Sequence, residues 1–85
     1  METTIEIPKY NPDQGITYKW TDGFEIRAIV DRGKILILAN KEGLISLSNH
    51  LLNLAQDEIP ADYHMHFDEY NSLEDGSAEI IIQKI

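Results

Sequence analysis

The chain changes its spacing of apolar residues twice, and these changes predict where strands and a helix lie. Before residue 40, apolar side chains recur mostly at every second position, as in an extended strand whose successive side chains point to opposite faces. From residue 40 to about residue 57 they recur every three or four positions, as on one side of an α-helix. After Pro60 the period of two returns. The pattern predicts strands on both sides of a single helix.

The clearest local signal is a β-hairpin. Residues 24–31 and 34–39 are rich in β-forming side chains and flank Arg32 and Gly33, and glycine at the second turn position suits a two-residue hairpin loop. Residues 35–38 are apolar in succession, which predicts a central strand covered on both faces.

Four weaker segments complete the predicted fold. Residues 2–7 and 16–20 alternate before the hairpin, and residues 62–67 and 78–84 alternate after the helix. We therefore expect one α+β domain over residues 1–85, with a single mainly antiparallel sheet of five to six strands and one amphipathic helix packed on one face. The other face of this sheet should stay open.

The predicted helix has clear start and stop signals. Asn40 is a natural N-cap, Glu42 suits the positive end of the helix dipole, and Pro60 lies just beyond the end. Its apolar stripe, which should face the sheet, consists of Leu44, Leu47, Leu51, Leu54 and Ala55, with Ser46, Asn49, Asn53 and Gln56 on the other side. His50 lies at the edge of the stripe, where its ring could hydrogen-bond a backbone group.

The most suggestive chemistry lies on the strand after the helix. Strict alternation puts Tyr63, Met65 and Phe67 on the core face. His64, His66 and Asp68 then share the open face. Imidazole and carboxylate are ligands for zinc, iron or manganese, but a catalytic zinc site has three protein ligands, and the remaining histidine is on the helix. We therefore predict no metal and no cofactor, and the absence of cysteine excludes thiolate chemistry.

Charge is distributed unevenly along the chain. The net charge is −8, and residues 42–83 contain nine acidic side chains but no lysine or arginine. Such a field repels phosphate backbones, which disfavours nucleic-acid binding, and it attracts a basic partner. No secretory leader or membrane-spanning segment is recognisable, so we expect a cytoplasmic protein without membrane contact.

Catalytic motifs are missing from the sequence. There is no nucleophile elbow and no glycine-rich phosphate loop, and nothing supplies a pocket for the carboxylates beside His66, so we predict that the protein is not an enzyme.

Trp20, the only tryptophan, is expected to lie in the core, with a role as an interface anchor as the alternative. Tyr10 and Tyr70 stand in polar loop contexts and are candidates for exposed contacts.

Three blocks of sequence in order resemble one known family. They are G-L-I-S-L-S-N-H-L at residues 43–51, Y-H-M-H-F-D at residues 63–68 and D-G-S-A-E-I at residues 75–80. Together they resemble immunity protein 32 of bacterial polymorphic toxin systems, a small α+β domain encoded beside the toxin that it neutralises. Ser48 and Ile80 depart from the family pattern, which commonly has a small apolar residue and leucine at those positions.

The resemblance implies binding rather than turnover: an inhibitor that docks on a cognate toxin and blocks its active site. The acidic charge favours a basic toxin, and we expect the chain to be a monomer or weak homodimer. Partner-binding candidates are His64, His66, Asp68, Glu69, Tyr70, Glu74 and Asp75, and structural roles are expected for His50, Trp20, Leu47, Leu51, Met65 and Phe67. Two alternatives stay open on the residues alone. One is a metal-binding or enzyme-like domain that uses His64, His66 and Asp68, and the other is a regulatory homodimer formed through the open sheet face or an edge strand.

Overall fold

The computed structural model describes all 85 residues and contains four strands and one helix. In chain order these are β1 (Ile26–Asp31), β2 (Lys34–Ala39), α1 (Lys41–Leu54), β3 (His64–Phe67) and β4 (Ile80–Gln83). The strands form two antiparallel pairs, β1 with β2 and β3 with β4. The α+β class with one helix is confirmed, whereas the single sheet of five to six strands is wrong, since the protein has two two-stranded sheets.

The β1–β2 hairpin forms where the turn signal predicts it. Asp31 pairs with Lys34, and the two residues between them, Arg32 and Gly33, both have positive φ (52° and 75°). This left-handed backbone matches the twist of the flanking strands, and it is why glycine is favoured there. The prediction that residues 35–38 form a central strand is wrong, because β2 pairs only with β1 and its side chains are exposed on both faces.

The two segments predicted as strands before the hairpin remain irregular. Side chains of α1 take up backbone carbonyls that a strand would need for its ladder. Asn49 Nδ2 donates to Glu6 O at 3.0 Å, and Asn53 Nδ2 donates to Thr17 O at 2.8 Å. The N-terminal part of the chain is therefore held by the helix rather than by a neighbouring strand.

The helix packs with its polar side inward, opposite to the predicted orientation. Its buried residues are Gly43, Ser46, Asn49, His50, Asn53 and Leu54. Of the predicted stripe, Leu54 is buried and Leu47 packs partly buried on the core, whereas Leu44, Leu51 and Ala55 are exposed. This orientation is stabilised by four uncharged side chains of α1 and the turn after it, here called the polar row, which are Ser46, Asn49, Asn53 and Gln56. Each of them hydrogen-bonds the chain before the hairpin, although Asn49 Oδ1 stays buried without a partner.

The start of the helix is fixed to the hairpin through its cap. Asn40 Oδ1 accepts from Gly43 N at 2.8 Å, as the N-cap prediction requires, and also from Glu25 N at 2.9 Å. The amide of the same side chain donates to Gly23 O at 2.9 Å. One asparagine therefore joins the first turn of α1 to the segment that leads into β1.

The segment between β3 and β4 joins the second edge of β1. Glu74 N donates to Ile26 O and Ala78 N donates to Ala28 O, both at 2.9 Å, and Ser77 Oγ accepts from Ala28 N at 3.2 Å. The core lies beside this junction and contains Ile26, Ala28, Leu54, Ile59, Met65, Phe67 and Leu73. The helix lacks the length and apolar character needed to cross a membrane.

Gly43→Ala should destabilise the protein, although glycine to alanine normally favours a helix by about 1 kcal/mol. A Cβ at this position would lie 2.5 Å from Glu25 O and 2.9 Å from Ile26 Cγ1, so helix and β1 would have to separate. We expect a net loss of about 1 to 3 kcal/mol in urea unfolding. Ser48→Ala, at an exposed position of the same helix, is the control and should change the stability little. A stabilised Gly43→Ala variant would contradict the close packing described here.

Candidate protein-binding surface

A groove runs between β3 and the irregular segment before the hairpin. Its volume is about 390 Å³, and it is lined by Tyr18, Trp20, His64, His66, Phe67 and Asn71. The segment that forms one wall is positioned by the helix and by β3. Thr21 N donates to Ser46 Oγ at 2.9 Å, and Ile16 N donates to the Tyr63 hydroxyl at 3.1 Å. These bonds place aromatic side chains opposite the two histidines.

An aromatic cluster forms the floor of this groove. Trp20 stacks on Phe24, with ring centroids 4.4 Å apart, and meets His50 edge-on at 4.3 Å. His50 stacks on Phe67 at 5.6 Å, and Tyr18 approaches the same imidazole edge-on at 5.2 Å. The cluster joins the helix, β3 and the N-terminal segment, so the shape of the groove depends on all three.

His50 is a fully buried imidazole whose two ring nitrogens have no hydrogen-bond partner. The backbone hydrogen bond expected for it is therefore absent. Burial lowers the pKa of His50 from 6.5 to about 4, because removal of the ring from water disfavours its charged form. At neutral pH the ring is an uncharged member of the aromatic cluster.

The two histidines of β3 share the exposed face, and the strand buries Met65 and Phe67 on the other side. The imidazoles of His64 and His66 lie 4.8 Å apart between centroids, and His66 Nδ1 is 3.6 Å from Glu79 Oε1. His64 Nδ1 is 3.1 Å from the carbonyl of Asp62.

Asp68 does not join the histidines. Its Oδ1 accepts from Tyr70 N at 2.9 Å and from Asn71 N at 3.1 Å, so the carboxylate caps the turn after β3. No group of three or more histidine or acidic side chains is arranged to hold a metal ion. The arrangement can offer aromatic surface and hydrogen bonds to a partner, but it does not provide a three-ligand site.

The remaining predicted contact residues lie in the segment between β3 and β4. Residues 68–79, here called the acidic loop, carry five carboxylates and no basic side chain. Glu69 Oε2 accepts from Gly76 N at 2.8 Å and closes the loop on itself. Tyr70, Glu74 and Asp75 are exposed. The loop is therefore a compact, negatively charged surface beside the groove.

The predicted structural residues occupy different environments. Trp20 is partly buried and lines the groove, Leu47 packs on the core while partly buried, and Leu51 is exposed. Two groove residues were not identified from the sequence as site residues, Tyr18 and Asn71. Asn71 Nδ2 donates to His66 O at 3.0 Å, and its Oδ1 accepts from Asp68 N at 3.0 Å. The sequence feature that could have identified Asn71 is its position in a turn-rich stretch after Asp68.

Comparison with known proteins identifies the chain's family. The family model of Immunity protein 32 matches residues 34–85, which is more than half of the chain and includes β2, α1, β3 and β4. The chain belongs to the immunity protein 32 family, and the resemblance carried by the three sequence blocks is confirmed. No curated protein and no solved structure matches the chain.

His50 should make the stability depend on pH. Its pKa is about 4 in the folded protein and near 6.5 when unfolded, so below about pH 6.5 the unfolded state binds a proton that the folded state excludes. The stability that the neutral, buried ring contributes is fully present above about pH 6.5. It falls by about 2 kcal/mol between about pH 7 and about pH 5. His50→Leu, which cannot take up a proton, should lose this component in urea unfolding at the two pH values. His64→Gln alters an exposed imidazole and should keep the parent's pH dependence; an unchanged dependence in His50→Leu would refute the assignment.

Proposed function

We propose that this chain is an immunity protein that binds a cognate protein toxin and neutralises it by non-covalent docking, without catalysis of its own. The observation that carries this proposal is its membership of the immunity protein 32 family. The partner is a protein, and the chain acts by covering a surface of that partner. The metal-binding and enzyme-like alternatives have no specific observation in their favour, since the carboxylates of Asp68 and Glu69 already accept backbone N–H groups.

The groove and the acidic loop together form the docking surface of this proposal. They are contiguous at Asn71, which lines the groove and hydrogen-bonds both His66 and Asp68. An aromatic centre with a charged, exposed rim is the usual composition of a protein-binding site. In this arrangement Trp20 and the two β3 histidines meet the partner at the centre, and Tyr70, Glu74 and Asp75 meet it at the rim.

The charge of the loop indicates the kind of partner surface that fits. The loop carries five carboxylates and no lysine or arginine, so it attracts a basic protein surface and speeds its encounter, an effect that weakens as salt screens the field. A toxin that acts on nucleic acid has such a basic surface, because its substrate is anionic. This chain itself, with the same acidic field, would repel nucleic acid.

A growth assay with the neighbouring gene product tests the function directly. The probe is the protein encoded next to this chain in its own genome, expressed from an inducible promoter in a bacterial host. We expect induction to arrest growth, co-expression of this chain to restore it, and the two proteins to co-purify. Growth arrest that this chain does not relieve, with no complex formed, would overturn the proposal.

Reversing two charges in the acidic loop should slow the binding of that toxin. In Glu74→Lys/Asp75→Lys two exposed carboxylates become ammonium groups, and we expect the association rate to fall roughly tenfold or more at low salt, with a smaller change at high salt. Stopped-flow association at several salt concentrations measures this effect.

The matched control is Asp57→Lys/Glu58→Lys, which changes the same number of charges at an exposed acidic pair after the helix. Because long-range attraction depends partly on total charge, the control should slow association less than the loop variant does. Equal slowing by both variants would show that net charge, rather than the acidic loop, guides the encounter.

A further inference from the structure

The outer half of the β1–β2 hairpin is apolar on both faces. Pairing across the strands puts Val30 beside Ile35 on one face and Ile29 beside Leu36 on the other. All four side chains are exposed, Ile35 at 75% and Leu36 at 52%. A water-facing antiparallel pair normally has polar residues on its open side. The hairpin therefore has the composition of a covered element, although residues 78–81, which border the Val30–Ile35 face, leave both of these side chains exposed in the single chain.

The outer edge of β2 is also free. The strand pairs only with β1, and residues 29–38 make no hydrogen bond to any part of the chain outside the hairpin. Proteins usually protect such an edge with a central charge, a proline or a bulge. Residues 35–38 contain none of these, and Lys34 lies at the end of the strand next to the turn. The edge is therefore open to pairing with another strand.

The surface area of the single chain indicates that a partner is needed. A folded protein of 9.7 kDa exposes about 5,100 Å². This chain exposes 6182 Å² and buries only 12 of its 85 residues. The excess of about 1,000 Å² is close to the roughly 800 Å² that each partner contributes to a standard interface. An interface of that size on the hairpin would bring the exposed area to the value expected for a compact protein.

The hairpin is the basic part of an acidic chain. Residues 26–41 carry four basic side chains and one acidic one, whereas the rest of the chain has three basic and fourteen acidic residues. Two hairpins that face each other carry like charge, so the attraction between two copies has to come from apolar area and strand pairing. The basic partner expected for the acidic loop would also be repelled by the hairpin, whereas a second copy offers the same free, apolar β2 edge that this chain shows.

We propose that two copies of this chain associate through their β1–β2 hairpins, with the free edges of their β2 strands paired antiparallel. A two-fold axis lets one strand serve as its own complement, since the same edge is present on both chains. The pairing gives hydrogen-bond partners to the free N–H and C=O groups on the outer edge of β2. It also places the apolar rows of the two hairpins side by side. The dimer leaves the groove and the acidic loop of each copy outside the contact.

Light scattering after size-exclusion chromatography of the full chain measures the association. We expect twice the chain mass of 9.7 kDa at high concentration. Leu36→Glu should weaken self-association roughly a hundredfold, because a carboxylate would enter the contact. The far-UV circular dichroism of the variant should match the parent, since Leu36 is exposed in the single chain.

Leu52→Glu is the matched control. Leu52 is exposed to the same degree (51%) but lies on α1, and this variant should dimerise like the parent. Loss of the dimer in Leu52→Glu but not in Leu36→Glu would place the contact on the helix and overturn the proposal. A monomer at every concentration would also overturn it.

Hydrogen exchange provides a second measurement that needs no variant. Pairing of β2 on both edges should slow exchange at every amide of residues 35–38, whereas an unpaired edge leaves alternate amides fast. Alternate fast amides in the free protein that become protected only after addition of the cognate toxin would assign the edge to the toxin and refute self-association.

Discussion

The polar row of α1 is the constraint on which the rest of the structure depends. A helix of 14 residues with leucines on one side would ordinarily bury them, yet here the buried side carries hydroxyl and amide groups. Each of these groups binds the backbone of the N-terminal segment, and each hydrogen bond is worth about 1 kcal/mol in net stability. Removing the partner of one of these groups would have a larger effect than this net gain, because a buried amide left unpaired costs about 1 to 3 kcal/mol. The helix orientation, the course of the N-terminal segment and the aromatic cluster are therefore set together.

Features specified by neighbouring residues could be predicted from the sequence. The hairpin turn, the Asn40 cap and the alternation of β3 each depend on a few adjacent side chains, and all three are present. Because these signals are local, the structure follows them without regard to the rest of the fold. The two histidines of β3 were placed on a shared exposed face for the same reason, while the turn geometry after the strand drew Asp68 away from them.

Features specified by distant residues could not be predicted in the same way. Helical periodicity shows that leucines and polar residues lie on different sides, but it does not say which side is buried. A signal was nevertheless present, since residues 43–56 contain no charged side chain, whereas a helix face in water usually carries several. Likewise, four apolar residues in succession fit a central strand or an edge strand with unprotected faces, and only the pairing of β2 distinguishes them.

The wall of the groove formed by Tyr18 and Trp20 is attached differently from the wall formed by β3. A strand in a ladder opens cooperatively, because breaking one bond exposes its neighbours, whereas the N-terminal segment is held by separate side-chain bonds that break one at a time. We therefore expect a lower free energy of local opening for the aromatic wall than for the histidine wall. On this expectation the β3 side of the groove would fix the orientation of a ligand, and the Tyr18–Trp20 side would adjust the width.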